Sequence, residues 1–500
     1  MSRPTTSIQP APPLPAVVCP RCHKRLHRAT PDRLNCEGGH AFPVFDGIPD
    51  LMPEAVLSEA PAVLTAALDL TVVLPAWNEA DNLRVLLPRL RSVLAAVGAR
   101  AEVLVVDKGS QDGTAAVAAG LGARVVRQTE PGLGGALRTG FAVARGRFIC
   151  TMDADLQHDP QHLVAMWASR ERAAVVIASR WTRGGRADMP LYRRLLSLLL
   201  NGVYSLVLGI PLTDLSTNFR LYRRDALQSV RFEGENYDVQ QDLLVRLVNA
   251  GWDMVEVPQY HRRRLGGESH VQLLRFAIGY ARTLVRLWRL RGAPEAADAE
   301  WRAYHSWNPA RRVAEHRRVA LLRATPAVRG ECLYINCGSD PLLGMLPGAV
   351  GVDARMNRLR WARREGRALV RASLAALPFP DASFDAVVWS ESRDRLADTE
   401  RPLDELARVL APGGSLILRV VHLGHRALVE ALQAHGLAVE STRWLFGTQR
   451  VVRARKAAAG SGRAAGSAPA RGSSGRQNSR HRSPGPSLEE TQPLDGASAP

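Results

Sequence analysis

The chain has 500 residues, of which 66 are Lys or Arg and 48 are Asp or Glu, so its formal net charge is +18. This length suits two to four domains. Six cysteines with uneven spacing do not form a disulfide framework, and the Pro-rich residues 1–16 lack the apolar core of a signal peptide. We therefore expect a protein of the reducing cytoplasm and not a secreted, disulfide-rich one.

Metal-binding residue types cluster near the N-terminus. Cys19 and Cys22 form a C-x2-C pair, and Cys36 and His40 follow as C-x3-H. Four such ligands can close a tetrahedral Zn²⁺ site, which would replace the core that so short a segment cannot bury. With its tail, Phe42-Pro-Val-Phe-Asp-Gly-Ile-Pro-Asp-Leu-Met52, the segment resembles zinc ribbons of the Trm112 family and those that precede some RNA methyltransferases. The resemblance implies a structural Zn²⁺.

Short apolar runs then alternate with segments of helical periodicity. Residues 82–97 have the spacing of an amphipathic helix. Alternation of this kind favours an α/β fold with a doubly wound parallel sheet. The predicted strands are residues 70–75, 102–107, 123–127 and 148–152.

The fourth predicted strand is followed by two carboxylates, Asp153 and Asp155. At the carboxyl end of a parallel strand, both can reach the crevice where α/β sheets bind ligands. A pair of hard oxygen ligands suits Mg²⁺ or Mn²⁺, which would bridge to a nucleotide diphosphate. Asp-x-Asp by itself is equally compatible with a simple turn, so the surrounding motifs decide.

Five motifs together carry a family resemblance. They are Val73-Leu-Pro-Ala-Trp-Asn-Glu79, Val105-Val-Asp-Lys-Gly-Ser-Gln-Asp-Gly-Thr114, Gly134-Gly-Ala-Leu-Arg-Thr-Gly140, Met152-Asp-Ala-Asp-Leu-Gln-His-Asp-Pro160 and Thr213-Asp-Leu-Ser-Thr-Asn-Phe-Arg-Leu-Tyr-Arg-Arg-Asp225. In combination they resemble family 2 glycosyltransferases, and within that family the dolichyl and polyprenyl phosphate mannose synthases. The resemblance covers residues 69–291 and implies a nucleotide-sugar domain of the GT-A type.

The resemblance also implies a role for each site residue. Pro75, Trp77, Glu79 and Asp107 would hold the nucleoside; Asp153, Asp155 and Gln157 would hold the metal and the diphosphate; Arg180, Arg194 and Arg264 would receive the acceptor's phosphate. Guanidinium groups suit a dianionic phosphate because they donate two parallel hydrogen bonds. Arg193 is an equal alternative to Arg194.

Three positions depart from the family pattern. Lys108 replaces the second Asp that usually follows Asp107, which leaves the nucleobase preference open. Asn218 replaces a common Gly before Phe219, and His270 replaces the usual Lys. None of the three removes a metal carboxylate.

Two segments suggest a membrane surface. The apolar stretch 195–212 is at the lower length limit for a membrane span. Because Asn201, Gly202 and Pro211 interrupt it, we interpret it as a helical hairpin, buried in the enzyme or lying at a bilayer surface. Residues 271–291 have apolar positions at helical spacing with arginines between them. This pattern predicts a basic amphipathic helix that lies on an anionic membrane or docks on the catalytic domain.

A second α/β domain is predicted after residue 294. A strand and turn at 331–340, a strand at 349–353 ending on an acid, and the segment 377–418 resemble class I S-adenosylmethionine-dependent methyltransferases. The resemblance implies that Gly338 and Asp353 contact S-adenosylmethionine.

The first cofactor motif of that second domain is degenerate. Tyr334 stands at the usual acid, Asn336 at the first Gly and Asp340 at the last. Side chains there would crowd the cofactor, since the glycines let backbone pass close to it. We therefore expect weak or no cofactor binding and a docking or packing role for the domain.

The predicted domain organisation has five parts. They are an unstructured segment 1–16, a zinc ribbon 17–53, a family 2 glycosyltransferase domain 69–291, a methyltransferase-like domain 300–452 and an unstructured tail 457–500. The tail is built of Ala, Gly, Ser, Pro and Arg and cannot bury a core.

The prediction is an inverting glycosyltransferase that transfers a hexose, from GDP-mannose, to a polyprenyl phosphate. UDP-glucose or another nucleotide sugar is the near alternative. A different class of function, an S-adenosylmethionine-dependent methyltransferase acting on RNA or a small molecule, is the far alternative, and a catalytically silent scaffold is a third. We expect peripheral attachment to the inner face of an anionic membrane and no nucleic-acid partner.

Overall fold

The computed structural model describes residues 13–57, 68–236, 238–262, 273–323, 330–346, 348–389, 400–421, 425–445 and 449–458. These residues fall within one compact unit that ends at Ala458. Apart from their inner ends, the two segments predicted to be unstructured, 1–16 and 457–500, lie outside the described residues.

The N-terminal ribbon, residues 17–53, is a four-stranded antiparallel sheet with the strands in chain order. Along its strands, buried Leu34, Phe42 and Val44 alternate with more exposed neighbours, as a sheet with one covered face requires. The strands are β1 (Leu26–Thr30), β2 (Arg33–Cys36), β3 (Ala41–Phe45) and β4 (Ile48–Pro49).

The domain predicted over residues 69–291, called the catalytic-type domain below, is organised around a seven-stranded sheet. Its strands are β5 (Leu68–Ala76), β6 (Ala101–Asp107), β7 (Arg124–Arg127), β8 (Gly146–Thr151), β9 (Val175–Ser179), β11 (Arg220–Arg223) and β12 (Met254–Pro258), while β10 (Arg186–Ala187) and β13 (Tyr260–His261) pair separately. The order is β12-β9-β11-β8-β5-β6-β7, and β11 runs antiparallel to both of its neighbours. The four predicted strands are present, with ends shifted by one or two residues.

Helices cover both faces of this sheet. They are α1 (Ala80–Val97), α2 (Thr114–Gly120), α3 (Gly132–Val143), α4 (His162–Ala168), α5 (Leu191–Leu208), α6 (Arg224–Gln228), α7 (Val239–Asn249) and α8 (Leu273–Arg291). One core lies under α1, α2 and α4, and a second core lies under α3, α5, α7 and α8. Both faces of the central strands are therefore buried, which explains their continuous apolar runs.

The predicted helical hairpin is wrong, because the apolar stretch forms the single helix α5. Asn201 does not break the helix: its side-chain amide donates to the Ser197 carbonyl at 2.8 Å, and its oxygen accepts from the backbone of Leu215 at 2.8 Å. The helix ends at Gly209, whose left-handed φ of 60° suits a glycine cap. Because both polar groups of the Asn201 side chain have hydrogen-bond partners, the residue is accommodated inside a continuous helix.

The methyltransferase-like domain contains a second seven-stranded sheet, in the order β16-β15-β14-β17-β18-β20-β19. The strands are β14 (Cys332–Ile335), β15 (Val350–Asp353), β16 (Ala368–Arg371), β17 (Phe384–Trp389), β18 (Leu410–Val421), β19 (Leu437–Trp444) and β20 (Gln449–Lys456). All pairs are parallel except those of β20. The helices are α9 (Ala299–Tyr304), α10 (Pro309–Arg323), α11 (Leu342–Met345), α12 (Met356–Ala362), α13 (Glu400–Val409) and α14 (His425–Ala434), with a 3-10 turn at Arg363–Glu365.

The N-terminal ribbon packs against this last domain, although the catalytic-type domain separates the two in sequence. Asp50 forms a parallel bridge with Arg371 on the edge strand β16 and also an ion pair with it at 2.6 Å. Phe42 and Leu51 of the ribbon belong to the same buried core as Val370 and Phe379. The ribbon thus covers a sheet edge that would otherwise be open to pairing.

Asp46 joins all three folded parts. It lies in the turn between β3 and β4 and has a side chain that is 9% exposed. Its carboxylate pairs with Arg223 at the end of β11 (2.7 Å), and with Arg360 and Arg363 of the methyltransferase-like domain (3.7 and 3.8 Å). The Arg360 guanidinium also stacks 3.9 Å from the ring centre of Trp252. One acidic side chain therefore compensates three cations at a junction.

We predict that Asp46→Asn lowers the free energy of unfolding by about 1–3 kcal/mol, because it removes the carboxylate that pairs with partly buried Arg360 and Arg363. Urea denaturation of the full chain measures this. The matched control is Asp225→Asn, which also removes a partner of Arg223 but at a side chain that is 53% exposed. Equal effects of the two substitutions would contradict the role of Asp46 as a junction.

Candidate active site

The predicted nucleotide and metal residues lie on or just after three neighbouring strands of the first sheet. Strands β8, β5 and β6 are adjacent and parallel, so the loops that follow them lie side by side. Ala76 is the register partner of Asp107, and β8 ends at Thr151, two residues before Asp153. The three sequence motifs are brought together by strand order alone.

The loop after β5 is tied to the loop after β6. The Asn78 backbone donates to the Ser110 hydroxyl (2.8 Å), and its side-chain oxygen accepts from the backbone of Gln111 (3.0 Å). Asn78 has a left-handed φ of 56°, a conformation that Asn tolerates better than most residues. The Glu79 backbone donates to the Thr114 hydroxyl at 2.9 Å. These bonds hold Pro75, Trp77 and Glu79 on one rigid rim.

Trp77 and Lys108 form the outer part of this rim. Trp77 is 58% exposed, and the Lys108 ammonium lies 4.4 Å from the centre of its ring, a cation–π contact. Asp107 behind them is buried and accepts from both the backbone and the hydroxyl of Ser110. The departure at position 108 thus presents a donor beside an aromatic face, where an Asp would present an acceptor.

The side-chain amide of Asn218 holds Asp153 in place, although the sequence identified Asn218 only as a departure from the family pattern. The Asn218 side chain donates to Asp153 Oδ1 at 2.8 Å, and its own oxygen accepts from the Gln240 amide at 2.7 Å. Asn218 and Gln240 are both buried, whereas the Asp153 side chain is 41% exposed. Asn218 precedes β11, the antiparallel strand next to β8, so the sheet itself brings it to the site.

Asp155 and Gln157 lie in a tight turn after Asp153. The Gln157 backbone donates to Asp155 Oδ1 at 3.2 Å, and Leu156 between them has a φ of 64°. A left-handed backbone is costly for a bulky residue such as Leu, so the surrounding structure holds this turn in a strained form. The Gln157 carbonyl accepts from the backbone of Arg262 at 2.9 Å, which anchors the turn to the end of β13.

Two histidines that the sequence did not single out lie near the carboxylates, one buried (His158) and one half-buried (His261). His158 accepts from the Asp153 backbone at 3.3 Å, and its ring centre is 5.3 Å from that of His261. Burial lowers the pKa of His158 to about 4 in spite of the opposing charge of Asp155. Burial and then His158 lower the pKa of His261 to about 3. Both imidazoles are neutral at pH 7 and too weak as bases for efficient proton abstraction.

The three predicted arginines differ in placement. Arg180 makes a two-pronged ion pair with buried Asp214 (2.7 and 2.8 Å) and donates to the Ser216 hydroxyl at 2.6 Å. Burial alone would lower the pKa of Arg180, but the charge of Asp214 outweighs it and raises that pKa. Arg194 is exposed in the first turn of α5, as is its alternative Arg193. Arg264 lies outside the described residues.

A divalent cation fits the chemistry of this edge. Asp153 and Asp155 would supply carboxylate oxygens and Gln157 a carbonyl oxygen, which are the ligand types that Mg²⁺ and Mn²⁺ prefer. The buried Asn218–Gln240 pair supports the first carboxylate from behind, as outer partners of metal ligands commonly do.

The four predicted zinc ligands meet at one point of the ribbon. The ligand atoms of Cys19, Cys22, Cys36 and His40 all lie within 4.8 Å of one another, with Cys22 and Cys36 sulfurs 3.4 Å apart and the Cys19 sulfur 3.5 Å from His40 Nδ1. Tetrahedral ligands around Zn²⁺ are about 3.5–3.8 Å apart, so the cluster fits that ion. The Lys24 backbone amide contributes most to lowering the pKa of Cys22 to about 7, which favours the thiolate.

The predicted S-adenosylmethionine contacts are engaged by the chain itself. The Gly338 backbone donates to Asp353 Oδ2 (3.1 Å), and the backbone of Arg355 donates to Asp353 Oδ1 (2.8 Å). The Glu300 carboxylate of α9 accepts from both the hydroxyl and the backbone of Ser339 (2.7 and 3.3 Å). A carboxylate of the chain therefore occupies the hydrogen-bond donors of Ser339 in this turn, and weak or absent cofactor binding stays a prediction.

Two of the three degenerate positions, Tyr334 and Asp340, are buried, whereas Asn336 is partly exposed and has a left-handed φ of 50°. The Tyr334 hydroxyl donates to Asp340 at 2.6 Å, and Arg318 of α10 pairs with the same carboxylate at 2.6 Å. Burial by itself would raise the pKa of Asp340, but the Arg318 charge outweighs it and lowers that pKa. Tyr334 and Asp340 thus form a buried structural pair.

Taken together, the first sheet and its covering helices define an α/β domain whose sequence motifs lie in the loops at the carboxyl ends of adjacent parallel strands. The family model of glycosyl transferase family 2 matches residues 71–231, and a methyltransferase-domain model matches residues 333–418. The chain belongs to glycosyl transferase family 2 and carries a methyltransferase-like domain after it.

Individual relatives agree with the family. The undecaprenyl-phosphate mannosyltransferase of Micrococcus luteus is 33% identical over 240 residues, which are 45% of this chain and 96% of that protein. The polyprenol monophosphomannose synthase of Mycolicibacterium smegmatis is 31% identical over 254 residues, 47% of this chain and 94% of that protein. A crystal structure of glucosyl-3-phosphoglycerate synthase from Mycobacterium tuberculosis, in complex with Mn²⁺ and UDP, aligns with a TM-score of 0.36 and 21% identity over 46% of this chain and 81% of that one.

We predict that Asn218→Ala weakens Mn²⁺ binding in the presence of a nucleoside diphosphate by about 10–100-fold, because Asp153 loses the amide that orients it. Calorimetric titration of the full chain measures this. Asn308→Ala, which removes an amide in the loop before α10, is the control and is expected to leave the affinity unchanged. An unaltered affinity in Asn218→Ala would refute the positioning role.

We predict one Zn²⁺ per chain, bound by the four-residue cluster of the ribbon. Elemental analysis of protein purified without a metal-binding tag should find it, and Cys36→Ser should lose it, whereas Cys150→Ala should keep it. Because the ribbon and the methyltransferase-like domain share a core, Cys36→Ser should also lower the thermal midpoint of the full chain by several degrees, roughly the effect of 1–3 kcal/mol. Zinc-free wild-type protein would disprove the assignment.

Proposed function

We propose that the chain is an inverting glycosyltransferase that moves mannose from GDP-mannose to the phosphate of a polyprenyl phosphate at the cytoplasmic face of a membrane. The observation that carries the proposal is the carboxylate pair, Asp153 and Asp155, beside the Asp107 loop at one sheet edge. The names of two mannosyltransferase relatives, each matched over more than nine-tenths of its length, support the sugar and the acceptor. UDP-glucose would undergo the same chemistry and is the alternative donor.

The nucleoside end of the donor would be held by the rim of Pro75, Trp77, Glu79 and Asp107. The exposed Trp77 ring offers an aromatic face for a base, and Lys108 beside it offers a donor to base oxygens or nitrogens. Guanine has such acceptors at O6 and N7. The Lys108 departure is therefore compatible with a guanine nucleotide.

The diphosphate end would meet Asp153, Asp155 and Gln157, which would hold Mg²⁺ or Mn²⁺. Such a cation, when bound, stabilises the charge of the leaving nucleoside diphosphate. The chain's own contribution is orientation: Asn218 fixes Asp153, and the Asp155–Gln157 turn fixes its partner. Binding both substrates in register at this edge turns a bimolecular reaction into an effectively unimolecular one.

The acceptor phosphate is already an anion, so no strong general base is needed. This agrees with the weak basicity of His158 beside Asp153. A single in-line displacement by a phosphate oxygen would invert the anomeric carbon. Arg194 on α5 and Arg264 would attract the phosphate, and Arg180 would act together with Asp214, whose pairing holds its guanidinium in place.

Peripheral attachment to the membrane would use α5. Among the described residues, this is the one helix long and apolar enough to cross a membrane, with a mean hydropathy of 1.2 and only 17% of it buried. Leu195, Leu199 and Leu206 are 57%, 63% and 83% exposed. The helix α8 docks Leu287 on the catalytic-type domain but leaves Trp288 57% exposed. An exposed apolar face of this size marks an interaction surface, and its arginines suit an anionic bilayer.

We predict that Asp155→Asn abolishes sugar transfer while the chain stays folded. Loss of one charged metal ligand should cost at least about 3 kcal/mol of transition-state stabilisation, a rate loss of a hundredfold or more. Transfer is measured at saturating Mn²⁺ or Mg²⁺, and Asp159→Asn in the same loop is the control. Turnover near the wild-type rate would contradict the assignment of Asp155 as a metal ligand.

We predict that the double substitution Leu195→Ser and Leu199→Ser reduces binding to vesicles of phosphatidylcholine and phosphatidylglycerol by about tenfold or more, since each exposed Leu contributes about 1 kcal/mol on insertion. Co-sedimentation measures the effect. Val164→Ser with Val313→Ser is the matched control, because both residues are exposed on other helices. Equal loss in both pairs would argue against α5 as the attachment face.

A further inference from the structure

The methyltransferase-like domain extends the exposed face of α5 across the domain boundary. Leu206 of α5, Trp288 of α8 and Trp307 from the loop between α9 and α10 all line one cavity between the two domains. They are 83%, 57% and 91% exposed, so they lie where this cavity opens to solvent. Large apolar side chains that gather at a surface in this way mark an interaction site.

The loop between α9 and α10 is built to hold Trp307 outward. Helix α10 begins with Pro309, and the Asn308 side chain before it accepts from two backbone amides of the first turn (3.0 and 3.3 Å). Asn is a strong helix cap, and Pro suits the first helical position. On the other side of the loop, the His305 ring stacks on that of Trp301 with 4.1 Å between the ring centres. Trp307 therefore lies between two fixed helix ends, and its exposure is a feature of the folded chain.

Helix α10 has one buried face and one exposed, basic face. Leu322 is buried in the core of the methyltransferase-like domain. Arg311, Arg312 and Val313 in the first turns are exposed. Because α10 carries five arginines against one glutamate, its outer face is cationic. We call Trp307, Arg311, Arg312 and Val313 the α10 patch, which combines a tryptophan and a valine with two positive charges.

An anionic bilayer fits the α10 patch better than other partners do. Tryptophan prefers the border between the apolar and polar layers of a membrane, and arginines near anionic head groups add attraction. If the patch paired with a second copy about a two-fold axis, its arginines would face one another and repel. A nucleic acid would gain nothing from Leu206 beside the patch. Only a lipid surface uses both the positive charge and the apolar neighbours.

We propose that the α10 patch is a second membrane contact, which docks the methyltransferase-like domain on the same anionic lipid surface as α5. The proposal rests on the peripheral attachment by α5 proposed above. It gives the methyltransferase-like domain a use that requires no methyl transfer, because two separate contacts fix the tilt of the enzyme on the bilayer. Two linked contacts also bind more tightly than one, since the second forms within an already attached molecule.

Co-sedimentation of the full chain with vesicles tests the proposal. The vesicles are made of phosphatidylcholine, with or without phosphatidylglycerol, so that the contribution of lipid charge is separated from that of apolar contact. The patch variants are Trp307→Ala and the double substitution Arg311→Ala with Arg312→Ala. Because all three residues are exposed, each variant is expected to stay folded.

The matched controls lie elsewhere on the same domain. Trp444→Ala removes another exposed tryptophan, on β19, and Arg401→Ala with Arg443→Ala removes two other exposed arginines. The α5 variant with both Leu195→Ser and Leu199→Ser is measured beside them. It shows whether α5 binds the vesicles independently of the α10 patch.

We expect the arginine pair of the patch to weaken binding to vesicles with phosphatidylglycerol by at least about tenfold, and Trp307→Ala by at least about threefold. Each control should change that binding by less than about twofold. On vesicles of phosphatidylcholine alone the arginine pair should have no such effect, since those vesicles carry no net charge.

The proposal is overturned if the α5 variant binds vesicles more weakly but both patch variants bind as the wild type does, or if patch and control variants lose equally. It is also overturned if Trp307→Ala abolishes a dimer in sedimentation velocity without changing vesicle binding. The same holds if an RNA oligonucleotide binds the patch more tightly than the vesicles do. A wild type that binds no vesicles refutes the attachment by α5 as well, whereas sugar transfer to a short, soluble polyprenyl phosphate tests the proposed reaction separately.

Discussion

The orientation of Asp153 is the constraint on which the proposed transfer site depends. A carboxylate at the end of a strand can rotate, and a metal ligand that rotates binds weakly. Here Asn218 and Gln240 form a buried chain of amides that ends on Asp153 Oδ1. Each amide uses its donor toward the site, so the order of the bonds fixes which way Asn218 points. The position that departs from the family pattern thus has a specific structural use in this chain.

The same part of the sheet keeps its other charges paired. Arg180 and Asp214 form a buried pair beside Ser216. His158 and His261 stay neutral because burial lowers their pKa values. Neutral imidazoles add no positive charge that would compete with a divalent cation at the neighbouring carboxylates. The groups behind this edge therefore add no net positive charge of their own to the proposed diphosphate site.

The three folded parts fall within one compact unit, and their contacts do not follow their order in sequence. The ribbon covers the edge of the last sheet through Asp50 and Arg371, and Asp46 reaches the middle domain through Arg223. At Gly251 the two large domains touch so closely that an added Cβ would lie 2.2 Å from the Asn357 carbonyl oxygen. The methyltransferase-like domain, with its cofactor turn capped by Glu300, contributes packing surface to this body.

Much of the fold of the catalytic-type domain could be predicted, because short continuous stretches of sequence encode its strands and its motif loops. Apolar runs bounded by Gly, Asp and Asn define the parallel strands, and the loops that carry the motifs follow directly from strand order. The role of Asn218 could not be predicted, since its partner Asp153 lies 65 residues away. The same holds for Asp50 and Arg371, which are 321 residues apart.

The prediction of a helical hairpin within residues 195–212 was wrong because the effect of Asn201 on the helix was misjudged. Asn and Gly were read as helix breakers, but the Asn201 side chain bonds to its own helix and to Leu215, so the helix continues. The hydrogen bond between Glu300 and Ser339 of the cofactor turn could not be predicted from the sequence either. Helix α9 precedes the turn by almost forty residues and has no motif of its own. In both cases the local structure depends on a hydrogen bond to a residue outside the motif itself, Leu215 in the first case and Glu300 in the second.

The most direct test of the account is the lipid product itself. Purified full-length chain is incubated with radiolabelled GDP-mannose, Mn²⁺ and a short polyprenyl phosphate, with UDP-glucose and UDP-N-acetylglucosamine as competing donors in parallel reactions. The account predicts a mannosyl lipid that requires the lipid phosphate, is lost without divalent cation and is released by mild acid. A chain that forms no sugar-bearing lipid from any of these donors, or that forms it equally well without divalent cation, would contradict the account.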